Sequence, residues 1–213
     1  MSPSPEQFAA IVPIRSWTAG KSRLGLDDVE RASLARAFAL DVIDVLRESP
    51  MIDLVVVVTS DDDVREDVEG VEVVPDNGRG LNEAVSQGCA HILARGSSRA
   101  VVVPSDLPCL TDAALTEVVR MSEGRVHVYC PDAEGDGTSI VVTRDPSSLV
   151  TSYGAGSAAA HQAAGLAPLL GAPTEARRDV DTVAHLHEAE SLGVGRRTAA
   201  VIAELSARLP HRP

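Results

Sequence analysis

The sequence predicts an α/β fold in three layers, with a mostly parallel sheet covered by helices on both faces. Three observations predict it. Short apolar runs alternate with longer stretches whose apolar residues recur at helical spacing. The apolar runs lack the strict polar alternation of a sheet with one wet face, so they read as strands buried on both sides. Aromatic residues make up only 2% of the chain against 44% hydrophobic residues, so the core must be built from Val, Leu, Ile and Ala.

The elements follow in order. Phe8–Ile14 reads as a first buried strand. Asp28–Glu48 carries Leu34, Phe38, Val42 and Val45 at helical spacing and reads as a helix. Leu54–Thr59 is a strand, Asp61–Val68 a short acidic helix, and Val71–Val74 a strand ended by Pro75. Leu81–Ala94 is a helix, Ala100–Val103 a strand, and Asp112–Met121 a helix with Thr111 or Asp112 as its cap. Val126–Cys130 and Thr138–Thr143 are strands flanking a Gly-rich turn. Ser157–Ala164, Thr182–Leu192 and Thr198–Leu209 close the chain as helices. A length of 213 residues suits one domain over 1–213.

Composition removes several function classes. The formal net charge is -12, the wrong sign for nucleic acid or an anionic membrane surface. Scarce aromatics argue against base-stacking platforms. The apolar runs are too short to span a bilayer, and Met1–Gln7 does not read as a signal peptide. Cys89, Cys109 and Cys130 are odd in number and widely spaced, which predicts free thiols in a reducing cytoplasm.

In parallel sheets of this kind ligands bind beyond the carboxyl ends of the strands. Three loops stand at such ends: Arg15–Gly25, Pro75–Gly80 and Pro104–Leu110. The first ends in Gly20-Lys21-Ser22, like the tail of a P-loop, but Arg15 stands where that motif needs glycine. Lys21 is the only lysine among 19 basic residues, which singles out its compact, mobile ammonium group. With Arg15 and Arg23 it forms a cationic set able to hold a triphosphate. In the second loop, Gly78 and Gly80 let backbone approach a ligand closely, but Glu83 breaks the dinucleotide-binding pattern. Asn82 falls near the first turn of the following helix.

The third loop places Asp106 just after a buried strand, between Pro104 and Pro108, where a carboxylate suits a divalent metal. Asp179-Val180-Asp181-Thr182 offers a second acidic pair. Asp181 doubles as the expected N-cap of the last-but-one helix, and Asp179 as an ion-pair partner of Arg177 and Arg178, with Asp179 the favoured metal ligand. Gly154-Ala155-Gly156-Ser157 opens a helix whose N-terminus could meet an anion, with Ser157 as its expected cap. His161, His185 and His187 show no partner pattern and read as helix-surface residues.

Together these loops resemble the 2-phospho-L-lactate or phosphoenolpyruvate guanylyltransferases, which make an intermediate for the deazaflavin coenzyme F-420. The resemblance rests on Val12-Pro13-Ile14 through Gly20-Lys21-Ser22-Arg23-Leu24, Pro75-Asp76 with Gly80-Leu81-Asn82, and Asp106-Leu107-Pro108. It continues in Gly137-Thr138, Tyr153-Gly154 with Ser157, and Asp179-Val180-Asp181-Thr182. The chain departs from the family at Arg15, usually lysine, and at Ser105, usually glycine.

The resemblance implies a nucleotide-diphospho-sugar-transferase-like (Rossmann-like) fold and transfer of GMP from GTP to phosphoenolpyruvate or 2-phospho-L-lactate, with Mg2+. It implies GTP binding by Pro13, Lys21, Arg23, Asp76, Gly80 and Asn82. It gives Lys21, Arg15, Arg23 and Asp106 as catalytic groups, Asp106 with Asp179 or Asp181 as metal ligands, and Thr138, Gly154 and Ser157 as the acceptor site. A phosphate acceptor is already ionised at neutral pH, so no general base is required. Hand-over to a downstream transferase and a homodimer complete these expectations. A molybdenum-cofactor-type nucleotidyltransferase and a non-catalytic GTP-binding regulator are the alternatives.

Overall fold

A computed structural model describes residues 6–18 and 22–208, with only the backbone of Ser22 and Arg208. Seven strands form one sheet in the order β3-β2-β1-β4-β6-β5-β7. The strands are β1 (Phe8–Pro13), β2 (Ile52–Val58), β3 (Glu72–Val74), β4 (Ala100–Val102), β5 (His127–Pro131), β6 (Thr138–Thr143) and β7 (Ala167–Pro168). β1 pairs in parallel with both β2 and β4, and β2 with β3. β6 runs antiparallel to β4 and β5, while β5 is parallel to β7. The sheet is therefore mostly parallel but mixed, because β5 and β6 are joined by a hairpin.

The helices are α1 (Asp28–Glu48), α2 (Asp62–Asp67), α3 (Leu81–Ala94), α4 (Asp112–Met121), α5 (Ser157–Ala163), α6 (Val183–Leu192) and α7 (Arg196–Arg208). Strand periodicity divides the core between the two faces of the sheet. On β1, Phe8, Ala10 and Val12 join one cluster with α1 and α4, while Ala9 and Ile11 join another with α3 and α5. Each fully buried Val, Leu or Ile contributes about 1.5–3 kcal/mol. α3 lies close on β1: a Cβ at Gly88 would stand 2.5 Å from Ile11 Cγ2.

Local chemistry sets the helix ends. Asp27 and Glu30 form a capping box at the start of α1. Thr111 caps α4 by accepting the Ala114 N–H. The buried Asp41 of α1 accepts the N–H groups of Arg197 (3.0 Å) and Thr198 (2.8 Å), holding the N-terminus of α7. α6 and α7 close a third cluster with Leu34 and Phe38 of α1.

Candidate active site

The chain passes from β1 to β2 on one side and returns through β4 on the other, so the loops after β1 and β4 diverge at the carboxyl ends of adjacent strands. A cleft of about 860 Å³ opens there. Pro13, Arg15, Ser16 and Trp17 line it from the first loop, Asp76, Arg79 and Gly80 from the second, and Ser105 and Asp106 from the third. A smaller pocket adjoins it, lined by Thr138, Gly154 and Ser157. Leu81, Pro104, Asp106 and Asp181 belong to the walls of both.

At that seam, carboxylate oxygens of Asp106, Asp179 and Asp181 all lie within 4.8 Å of one another. The sequence brings them together through alternation. Val180 is fully buried beside Leu34 and Phe38, and its N–H donates to the Asp106 carbonyl at 3.2 Å. With Val180 anchored inward, its acidic neighbours on either side both reach Asp106. The cap expected of Asp181 is supplied instead by Thr182, whose hydroxyl accepts the His185 N–H. Arg177 and Arg178, expected as ion-pair partners of Asp179, also make further contacts, and the Asp179 carboxylate is among the charges that favour the protonated Arg178. Arg177 donates to the carbonyls of Pro131 (3.0 Å) and Asp132 (2.7 Å), and the buried Arg178 bridges Glu134 and Glu188. Burial opposes charge on Glu134, but its contact with the Arg178 guanidinium outweighs this and holds its carboxyl below the usual range.

Other sequence expectations resolve unevenly. Lys21 lies outside the described residues. Arg23 is exposed in the 3-10 turn Ser22–Leu24 and does not line the cleft. Arg79, a cation that sequence reasoning left unassigned, lines it. The Asn82 side chain is turned to a neighbouring loop: its amide accepts the Tyr153 N–H at 2.7 Å and donates to the Tyr153 carbonyl at 3.1 Å. It thus ties the start of α3 to the wall of the smaller pocket.

Two residues were missed. Trp17 lines the larger cleft, and its indole N–H donates to Asp67 Oδ2 at 2.8 Å. Asp67 is held in turn by a bidentate contact with Arg36, both distances 2.6 Å, fastening the first loop to α1 and α2. A lone Trp in a chain so poor in aromatics was the available signal. His161, expected on a helix surface, is fully buried and bonded to Thr138 and to the Ser152 backbone. Burial lowers its pKa, against the opposing pull of the Ser157 carbonyl.

The smaller pocket depends on glycine. Gly156, not Ser157, is the N-cap of α5, in the left-handed region at φ 69. A Cβ at Gly137 would stand 2.1 Å from Asp132 Oδ2, a carboxylate whose other oxygen accepts the Gly135 N–H at 2.6 Å.

A cleft at the sheet's switch point, bordered by clustered carboxylates, belongs here to an α/β nucleotidyltransferase, as the chain's relatives show. Residues 8–165 match the family described as Guanylyl transferase CofC like, and the chain belongs to that family. It is 39% identical over 208 residues to a phosphoenolpyruvate guanylyltransferase of Streptomyces coelicolor, covering 93% of this chain and 97% of that protein. The same enzyme of Salinispora arenicola is 37% identical, covering 90% and 92%. Among solved structures, a putative nucleotide-diphospho-sugar transferase from Desulfovibrio desulfuricans G20 superposes with TM-score 0.69 at 17% identity, over 95% and 96% of the chains. Rv0371c from Mycobacterium tuberculosis H37Rv, crystallised with manganese, gives TM-score 0.56 at 20% identity over 87% and 98%.

Proposed function

We propose that the protein transfers GMP from GTP to phosphoenolpyruvate, releasing pyrophosphate, on the route to coenzyme F-420. The observation that carries this reading is the shared wall: the larger cleft and the smaller pocket meet at Asp106 and Asp181. GTP occupies the larger cleft, its α-phosphate at the seam, and the acceptor occupies the smaller one. The acceptor's ionised phosphate oxygen attacks the α-phosphorus in line. One P–O bond forms to the acceptor, and the bond from the α-phosphorus to the bridging oxygen breaks as pyrophosphate departs.

The residues supply placement and charge. Arg15 and Arg79 in the cleft wall, with Lys21 from the first loop, neutralise the departing pyrophosphate. Pro13, Asp76 and Gly80 shape the nucleoside end, and Asn82 holds the wall between the two sites. Thr138, Gly154 and Ser157 hold the acceptor's carboxylate and phosphate. Asp106, Asp179 and Asp181 offer only hard oxygen donors at a mutual spacing that suits a small divalent cation, and magnesium is the proposed ion. Bound there, it would neutralise phosphate charge during the transfer. No residue needs to act as a general base.

The relatives named for phosphoenolpyruvate favour that acceptor over 2-phospho-L-lactate. The product is a reactive phosphoanhydride, suited to hand-over to a downstream transferase. Three free, buried thiols support a cytoplasmic location. No helix among the described residues is long and apolar enough to cross a membrane.

The test is pyrophosphate release from GTP and magnesium with phosphoenolpyruvate, 2-phospho-L-lactate and 3-phosphoglycerate in turn. Release with phosphoenolpyruvate is expected. GTP binding without release for any acceptor would refute the reading and leave a regulatory protein.

A further inference from the structure

His161 packs behind the wall of the smaller pocket, against Thr138 and Tyr153, and is given no role by the reaction as described. Its side chain is fully buried between two aromatic rings, with Tyr129 stacked at 5.8 Å and Tyr153 edge-on at 5.1 Å. Its ring nitrogens face three groups: the Ser152 N–H, the Thr138 hydroxyl, and the Ser157 carbonyl, which favours a ring proton. Nε2 lies 2.9 Å from the backbone nitrogen of Ser152, and Nδ1 lies 2.9 Å from Thr138 Oγ1.

The proton inventory of these contacts has one solution. A backbone N–H can only donate, so Nε2 must accept and carries no hydrogen. A neutral imidazole bears its single hydrogen on the other nitrogen, which is therefore Nδ1–H. An imidazolium would set an Nε2–H against the Ser152 N–H in a buried site, which is unfavourable twice over. Facing Nδ1–H, the Thr138 hydroxyl accepts. Its own hydrogen cannot point back at the ring, and Thr138 lines the smaller pocket, where that hydrogen can be offered.

We infer that His161 is a positioning residue, a fixed Nδ1–H tautomer that turns the Thr138 hydroxyl into a ready donor for the acceptor's anionic group. This rests on the assignment of the smaller pocket to the acceptor. The opposite tautomer would draw the threonine hydrogen to Nδ1 and present oxygen lone pairs to an anion, repelling it. Fixing the rotor beforehand also removes an ordering cost on binding. The Ser152 contact has a second effect: the nitrogen that settles the tautomer also pins residues 152–153, which Asn82 grips from the other side. His161 thus couples the wall's position to the polarity of the group it presents.

The experiment compares His161→Gln, Thr138→Val and the double variant by steady-state pyrophosphate release, varying phosphoenolpyruvate and GTP separately. Each single change should raise the acceptor KM about tenfold and leave the GTP KM within about twofold, as for loss of one bond to a charged ligand. The double variant should fall well short of the product of the two single effects, since one change acts in part through the other. Multiplication of the two effects overturns the inference, as does an equal rise in the GTP KM on His161→Gln. A Thr138→Val protein with an unchanged acceptor KM overturns the pocket's assignment as well. The tautomer is read directly in the unaltered full chain by 15N NMR at neutral pH, with His161 assigned through its hydrogen-bond coupling to the Ser152 amide. A protonated Nδ1 and an unprotonated Nε2 are expected. The reverse pattern, or protons on both, overturns the inference even where His161→Gln fails to fold.

Discussion

Asp106→Asn should abolish the stabilisation that a divalent cation gives the protein and should inactivate the enzyme. The carboxylate oxygens of Asp106, Asp179 and Asp181 lie within 4.8 Å of one another. At that separation two unit charges repel by about 1 kcal/mol in bulk water and about 3–4 kcal/mol at the effective dielectric of a protein surface. A bound cation would offset that repulsion, and the substitution keeps the shape of the side chain while removing one of three anionic oxygen donors. A ligand that binds only the folded protein stabilises it by about 2.7 kcal/mol at one hundred times its Kd. For a chain of this size that corresponds to a rise in Tm of roughly 5–11 °C. The assay is thermal unfolding in chelator and then across a magnesium or manganese titration. Added metal should stabilise the unaltered protein by that amount and leave the variant almost unmoved, while pyrophosphate release falls at least about 100-fold. A variant that gains as much from metal as the parent would refute the placement of a cation at these residues.

Other outcomes follow from separate contacts. Asp41→Asn weakens the two N–H contacts that hold α7, so stability should fall by about 1–3 kcal/mol in urea unfolding, with both KM values unchanged. Gly137→Ala drives a Cβ against the anchored Asp132 carboxylate next to Thr138, so the acceptor KM should rise while the GTP KM holds. The Arg36 guanidinium holds the Asp67 carboxyl below its usual range. A depressed carboxyl pKa adds stability that is complete above the unfolded value near 4 and lost as pH falls through the folded one. Asp67→Asn should therefore destabilise the protein at pH 7, and its deficit should shrink in unfolding measurements taken below about pH 4.

The layered fold was legible because its signals are local and repetitive. α1, α3, α4 and β6 lie where hydrophobic spacing puts them, and buried strands announce themselves as runs of Val and Ile. β7 escaped because two residues, Ala167 and Pro168, carry no period. Pro131 also reads as a strand end, yet it pairs with Thr138 beyond an irregularity in β5. Within the site, carboxylates at strand ends were visible as candidates, since Asp106 between two prolines has no local task. Contacts between distant segments were not. Nothing near Asn82 says that its amide grips Tyr153, 71 residues away. Nothing near His161 says that Thr138 and Ser152 complete it. Arg23 shows the converse: proximity in sequence to Lys21 did not put it in the cleft wall, because the 3-10 turn points it to solvent.

Trp17 has a practical consequence. It is the chain's single tryptophan, it stands in the wall of the larger cleft, and its indole is tethered by one defined hydrogen bond. On the proposed placement of GTP in that cleft, the protein carries its own optical reporter of nucleotide occupancy. Its emission comes from one environment alone, and a ligand that enters the cleft alters the polarity and quenching around that ring. Titrations can follow GTP in unlabelled enzyme, with no turnover and no acceptor present, and so separate nucleotide capture from the chemistry that follows it.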